Sequence, residues 1–170
     1  TLLVNIFCLL SNIFSNVLAA AIINPMPWWH PRTLKAWFTN NTQLALESFD
    51  YEIHKSAWAD VARSANEHND PGHFTTFIGY EFTTSTDTEG GNLHRNVIFN
   101  SSKAPIRPWT RIDSINPEDL WTWQDGLREK GIDTVSMPHN SNGSNGQMFE
   151  METFKGDAIN RKYAEQRMRN

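Results

Sequence analysis

Cysteine is nearly missing from this chain: Cys8 is the sole one in 170 residues, which excludes an internal disulfide framework. It lies in an apolar run, without the electropositive surroundings that activate a thiolate. A surplus of positive charge is missing as well. Lys and Arg total 15 against 19 Asp and Glu, a net charge of -4, so nothing favours a nucleic-acid partner. No Gly-rich nucleotide loop, no Gly-x-Ser-x-Gly elbow and no paired-Cys motif occurs.

Charged residues are absent altogether from Thr1 to Pro31. Leu2 to Ile23 is largely apolar, but Asn5, Ser11, Asn12, Ser15 and Asn16 interrupt it. It therefore falls short of the roughly 20 apolar residues of a bilayer span, and no stable membrane span is expected. Residues 1–24 read as an export signal, with Val17-Leu18-Ala19 or Ala19-Ala20-Ala21 at the cleavage site, giving an exported or periplasmic protein. The missing Met and the missing basic residues ahead of the run count against that. The alternative is a buried helix or unrelated sequence in a cytoplasmic protein.

What is present suits one globular domain: 39% apolar and 20% charged residues argue against wholesale disorder. Pro25, Pro27 and Pro31 open a linker and helical region over 25–55, with apolar residues at helical spacing between Thr33 and Phe49. From 56 to 170 the pattern alternates. Ser56 is the expected cap of a helix to about Glu67, burying Trp58, Val61, Ala62 and Ala65. Phe74–Phe82, Asn96–Phe99 and Ile132–Met137 read as strands. Asn116-Pro117-Glu118-Asp119 starts a helix that presents Leu120, Trp123 and Leu127 and stops at Gly131. A last helix begins near Asp157. Strands alternating with helices predict an α/β fold with a largely parallel sheet.

Three residues carry the chemistry. Glu81 follows the apolar run Phe77-Ile78-Gly79-Tyr80, and a carboxylate buried there needs a partner or a cation. The competing reading is a carboxylate that caps the sheet and sees solvent. His94 stands between the Gly90-Gly91 loop and a strand, where a structural imidazole is the bland reading. His139 leaves the third strand ahead of Asn140 to Gly146, a loop of small residues that either turns the chain or cradles an anion. Three such side chains suffice to hold one cation and leave a position open. Arg95 offers a fixed cation to a phosphate, sulfate or carboxylate, with a surface ion pair as the alternative. His30, His54, His68 and His73 read as bland, and the seven Trp residues as core rather than as a sugar-stacking platform.

The blocks Pro71–Thr83, Asn92–Phe99, Asp119-Leu120-Trp121, Gly131-Ile132-Asp133 and Pro138–Gly146 closely resemble the bacterial family called domain of unknown function 3604 (DUF3604) over about Ser56 to Asn170. That family resembles the PHP (polymerase and histidinol phosphatase) metal-dependent hydrolases. The resemblance implies part of a distorted (β/α) barrel that holds divalent ions, zinc, manganese or iron, at its strand ends. Glu81 would be the metal-bridging carboxylate and His94 and His139 the two imidazoles that follow it. Arg95 and Asn140 would orient a small anionic substrate. The PHP pattern also has a His-x-His ahead of the Glu and a late Asp-x-His, and neither occurs here. The implied function is a segment of a hydrolase of phosphate or similar esters, incomplete as an enzyme; the alternative is a non-catalytic fragment or an exported binding module.

Overall fold

The computed structural model describes residues 50–85 and 91–170. The apolar N-terminal run and the helical stretch expected between Thr33 and Phe49 lie outside these residues. The chain divides between Asp60 and Val61, inside its first described helix, and the sheet, the remaining helices and the candidate site all belong to the unit from Val61 to Asn170.

That first helix, α1, spans Tyr51–Glu67. Its cap is Asp50 and not Ser56: Asp50 Oδ1 accepts from the N–H groups of Glu52 (2.9 Å) and Ile53 (3.0 Å). Val61, expected inside, is 41% exposed. The strands are β1 (Gly79–Phe82), β2 (Arg95–Phe99) and β3 (Thr134–Pro138). Helix α2 (Pro117–Arg128) lies between β2 and β3, and α3 (Arg161–Arg169) ends the described chain. The expected cap of α2 is in place, since Asn116 Oδ1 accepts from the Glu118 N–H at 2.9 Å with Pro117 at the first position. The start of α3 falls later than expected because Asn160 caps it, accepting from Tyr163 N at 2.9 Å.

The expected parallel sheet of a partial (β/α) barrel is not what forms. Among the described residues there is one three-stranded sheet, ordered β1-β2-β3, and both pairings are antiparallel. Two local facts explain this. The chain between β1 and β2 folds back on itself, with Ser85 bridging Asn92 and Leu93 N donating to Thr84 O, and holds no crossover helix among its described residues. The segment with α2 does contain a helix, but it leaves and re-enters the sheet at one end: Phe99 faces Thr134, and Asn100 N donates to Asp133 O at 3.0 Å. A helix between two strands signals a parallel pair only when the chain crosses to the far end before returning. Here it does not.

Strand alternation then sorts the side chains onto two faces. On the inner face stand Ile78, Phe82, Val97 and Phe99, each at most 2% exposed, with Arg95, Thr134 and Ser136. Helix α2 covers this face with Leu120, Trp121 and Leu127. Gln124, fully buried, donates to Thr134 Oγ1 (2.6 Å) and accepts from Ser136 Oγ (3.2 Å). That polar contact explains why β3 turns its hydroxyls inward and leaves Val135 and Met137 outward. The other face carries Glu81, Asn96, Ile98, Val135 and Met137.

Acidic groups tie the remaining segments down. Arg107 grips Asp113 with two nitrogens (2.8 and 2.5 Å), and Arg169 grips Asp125 in the same way (3.0 and 2.8 Å). Burial alone would raise the Asp113 pKa, but Arg107 and Thr110 outweigh it and hold the carboxyl below its usual range. For Asp125 the Arg169 hydrogen bonds dominate and the shift is strongly downward. Both folded-state values are depressed, so this stabilisation is present above the unfolded carboxylate pKa of about 3.9 and is lost as pH falls through the folded values. Urea midpoints measured at descending pH are therefore expected to fall below about pH 4, and Asp125→Asn should flatten that slope. An unchanged slope in the variant would count against the assignment.

Candidate functional site

Glu81 sits on the face of the sheet away from α2, in register with Asn96, which in turn faces Met137. Just past the paired residues, His139 N donates to His94 O at 2.9 Å, so the two histidines leave adjacent points of neighbouring chain segments. Their imidazoles meet the carboxylate. His94 Nδ1 lies 3.1 Å from Glu81 Oε1, and His139 Nε2 lies 3.6 Å from Glu81 Oε2. The Glu81 side chain is 5% exposed and each histidine side chain 15%.

Thr83 joins them. Its Oγ1 donates to Glu81 Oε1 at 2.9 Å. Thr83 is absent from the set expected on sequence grounds, although residues two apart on a strand share a face and Glu81-Phe82-Thr83 carries that signal. His94 Nδ1 and Glu81 Oε2 are both buried without a hydrogen-bond partner, the latter with His139 Nε2 standing off at 3.6 Å. Burial pushes the Glu81 pKa up, but contact with His94 and Thr83 and the charge of the two imidazoles outweigh it, and the carboxyl is held below its ordinary value. It is therefore an anion at neutral pH, flanked by two nitrogen ligands.

The loops that carry the histidines are locked together. Asn92 N donates to Gly143 O at 2.9 Å. A Cβ on Gly91 would stand 2.2 Å from Gln147 Oε1 and 2.7 Å from Ser144 O, and one on Gly143 would stand 2.7 Å from Asn92 Nδ2. The backbone carbonyl of Ser144 leaves no room for a side chain at position 91, whereas at position 143 the Asn92 side chain would have to move aside. The loop after His139 is thus spent, over Gly143 and Ser144, on docking against the Gly91-Asn92 segment. It folds as two short 3-10 turns, Ser141–Gly143 and Gln147–Phe149, with Asn140 and Asn145 in the left-handed region (φ 54 and 53).

Of the residues expected in the site, the fold brings Glu81, His94 and His139 together and sets exposed Asn140 directly after His139. It does not bring Arg95 to them. Arg95 pairs with Phe82 in register and points to the inner face, 4% exposed, its guanidinium 5.4 Å from the centre of the Trp121 ring. Burial, and then the nearby Arg167, lower its pKa to about 10.

A divalent cation is the group the family resemblance implies. Carboxylate and imidazole are its usual ligands, and with bonds of about 2.0–2.2 Å neighbouring ligand atoms stand roughly 3.3 Å apart. The separations of 3.1 and 3.6 Å bracket that value, and two buried atoms lack hydrogen-bond partners. The two imidazoles address different oxygens of the carboxylate, however, and among the described residues no group of three or more His, Cys, Asp and Glu side chains is arranged to hold a metal ion. The residues fit a cation in type and in neighbour spacing, without forming a closed three-ligand cage.

A family model described as a protein of unknown function (DUF3604) matches residues 25–170, beginning well before the first block of sequence resemblance. No curated protein matches the chain, and no solved structure does.

Proposed function

The chain belongs to the DUF3604 family, and we propose that Glu81, His94 and His139 form part of the divalent-metal centre of a hydrolase acting on a phosphate or similar ester. One observation supports this above the others: a nearly inaccessible carboxylate stands between two imidazoles brought from distant parts of the chain, with Glu81 Oε2 and His94 Nδ1 lacking hydrogen-bond partners. A buried polar atom without a partner costs about 1–3 kcal/mol, and a cation would relieve both. The kinship with PHP hydrolases belongs to the same proposal, and rests on the order Glu, His, His along the sequence.

The roles follow from the chemistry of each group. Glu81, anionic and backed by Thr83, would bridge or hold the cation through its two oxygens. His94 and His139 would add nitrogen ligands. Zinc, manganese or iron bound there would supply positive charge that acidifies water and neutralises the anion developing on an ester. Asn140, exposed and in a left-handed turn directly after His139, would orient the substrate's anionic group. Arg95 faces the other way and is left out of this site.

Metal content tests the proposal. Protein equilibrated with Zn²⁺ or Mn²⁺ and then desalted is expected to retain metal, and Glu81→Ala or His139→Ala should each weaken binding by about tenfold or more. Circular dichroism of the variants checks that the fold is kept. Binding that persists at full strength through both substitutions would remove these residues from any metal centre.

A further inference from the structure

Arg95 faces away from Glu81, but the next residue of β2 does not. Asn96 lies opposite Glu81 in register and on the same face of the sheet. The hydrogen bonds on either side fix how near it comes. Phe99 N donates to Ile78 O at 2.9 Å and Leu93 N to Thr84 O at 3.0 Å, so the hydrogen-bonded pairs of β1 and β2 alternate from these. Glu81 and Asn96 fall between them, in a non-hydrogen-bonded pair. In that class the Cα atoms stand about 4.5 Å apart and the side chains approach most closely. On the β3 side the phase is reversed. His139 N donates to His94 O, which puts Asn96 and Met137 in the wider class, with Cα atoms about 5.5 Å apart. Glu81 is therefore the nearest cross-strand neighbour of the Asn96 side chain, and His94 lies two residues away along the chain.

This carboxamide is not used to hold the fold together. Among the described residues the Asn96 side chain makes no hydrogen bond, and it is only partly buried. It does not support the carboxylate either: Glu81 Oε1 accepts from Thr83, and Oε2 has no hydrogen-bond partner. As a packing residue it is poorly chosen, since Asn is disfavoured within strands and its other neighbours on this face, Ile98 and Met137, are apolar. A residue that breaks the local rule without serving the fold is one to examine for function. Its chemistry suits the place. A carboxamide offers two N–H donors without charge, so it can stand beside a bound cation that a lysine or arginine would repel.

We propose that Asn96 is a substrate-binding residue, whose side-chain N–H groups donate to an oxygen of a phosphate group held at Glu81, His94 and His139. This rests on the metal-centre reading above and adds to it a fixed donor for the anion.

Inorganic phosphate titrated into the Mn²⁺-loaded full chain, followed by calorimetry, tests the assignment. Asn96→Leu removes the amide at nearly constant volume, and Asn96→Asp keeps the shape but replaces the donor by an anion. In Asn96→Leu the metal content is expected to stay at the wild-type level while phosphate affinity falls about tenfold. Asn96→Asp should bind phosphate more weakly still, a difference that a merely structural role would not produce. If Asn96→Leu does not fold, Asn96→Val, better suited to a strand, takes its place. Phosphate affinity unchanged in the apolar variant, with metal retained, overturns the assignment and leaves the metal centre standing. So does a loaded wild-type chain that binds no phosphate. Metal lost from a folded Asn96→Leu overturns it too, and makes Asn96 a ligand of the cation instead. A wild-type chain that retains no metal removes the metal-centre reading itself, and Asn96 with it.

Discussion

Phe82→Ala is expected to cost about 3–5 kcal/mol, the usual range for removing a buried aromatic ring. Phe82 is fully buried and stands on the inner face of β1, opposite Arg95 in register and next in sequence to Glu81. Its ring fixes which way the strand turns, and a strand that turns the wrong way puts every side chain on the opposite face. The loss should therefore show in two measurements. Chemical denaturation should give the stability change, with a melting temperature lower by roughly 6–20 °C for a chain of this size. Metal retention should fall with it, since Glu81 is aimed by the same pleat. A variant that loses less than about 1 kcal/mol would mean that the inner face is not the core of this unit.

Gly91→Ala carries the second large effect, and it acts on the site more than on the core. The added methyl would meet Gln147 Oε1 at 2.2 Å and the Ser144 carbonyl at 2.7 Å. The glutamine can swing away, but the carbonyl is backbone and can move only with its loop. The expected outcome is a stability loss of about 1–3 kcal/mol, typical of overpacking. Metal affinity should weaken at least about tenfold, because the two loops position His94 and His139. The double variant Gly91→Ala with Gln147→Ala separates the two clashes. Partial recovery is the expected result, and full recovery in both stability and metal binding would show that the backbone contact is not what matters.

Much of the candidate site is legible in the sequence. Glu81, His94 and His139 each stand at or just past a strand-like run, and the fold places all three within one cluster. Thr83 is legible only through the two-residue period that puts it on the face of Glu81. Arg95 shows the limit of reading a short segment. Its place next to His94 in sequence suggests a shared function, but neighbours on an extended chain point to opposite faces. Helical spacing puts Trp123 on the buried seam of α2, whereas Trp121 and Gln124 are the buried ones and Trp123 rests near Trp109, ring centres 6.3 Å apart. Gln124 escapes any local pattern, because a polar residue is placed in a core only by the hydroxyls that meet it, and those lie on β3.

The sequence by itself determined the local elements: the Asn116-Pro117 start of α2, the approximate positions of the strands, the glycine-rich loops and the family to which the chain belongs. These follow from short-range causes, namely capping, backbone freedom and alternating polarity, which act within a few residues. Only the tertiary structure decided that the sheet is antiparallel, that the two loops interlock through Gly91 and Gly143, and that Glu81 and Arg95 lie on opposite faces. Those outcomes depend on where the chain re-enters the sheet after each excursion. That is set by the packing of α2 and by pairings such as Phe99 with Thr134, between residues far apart along the chain.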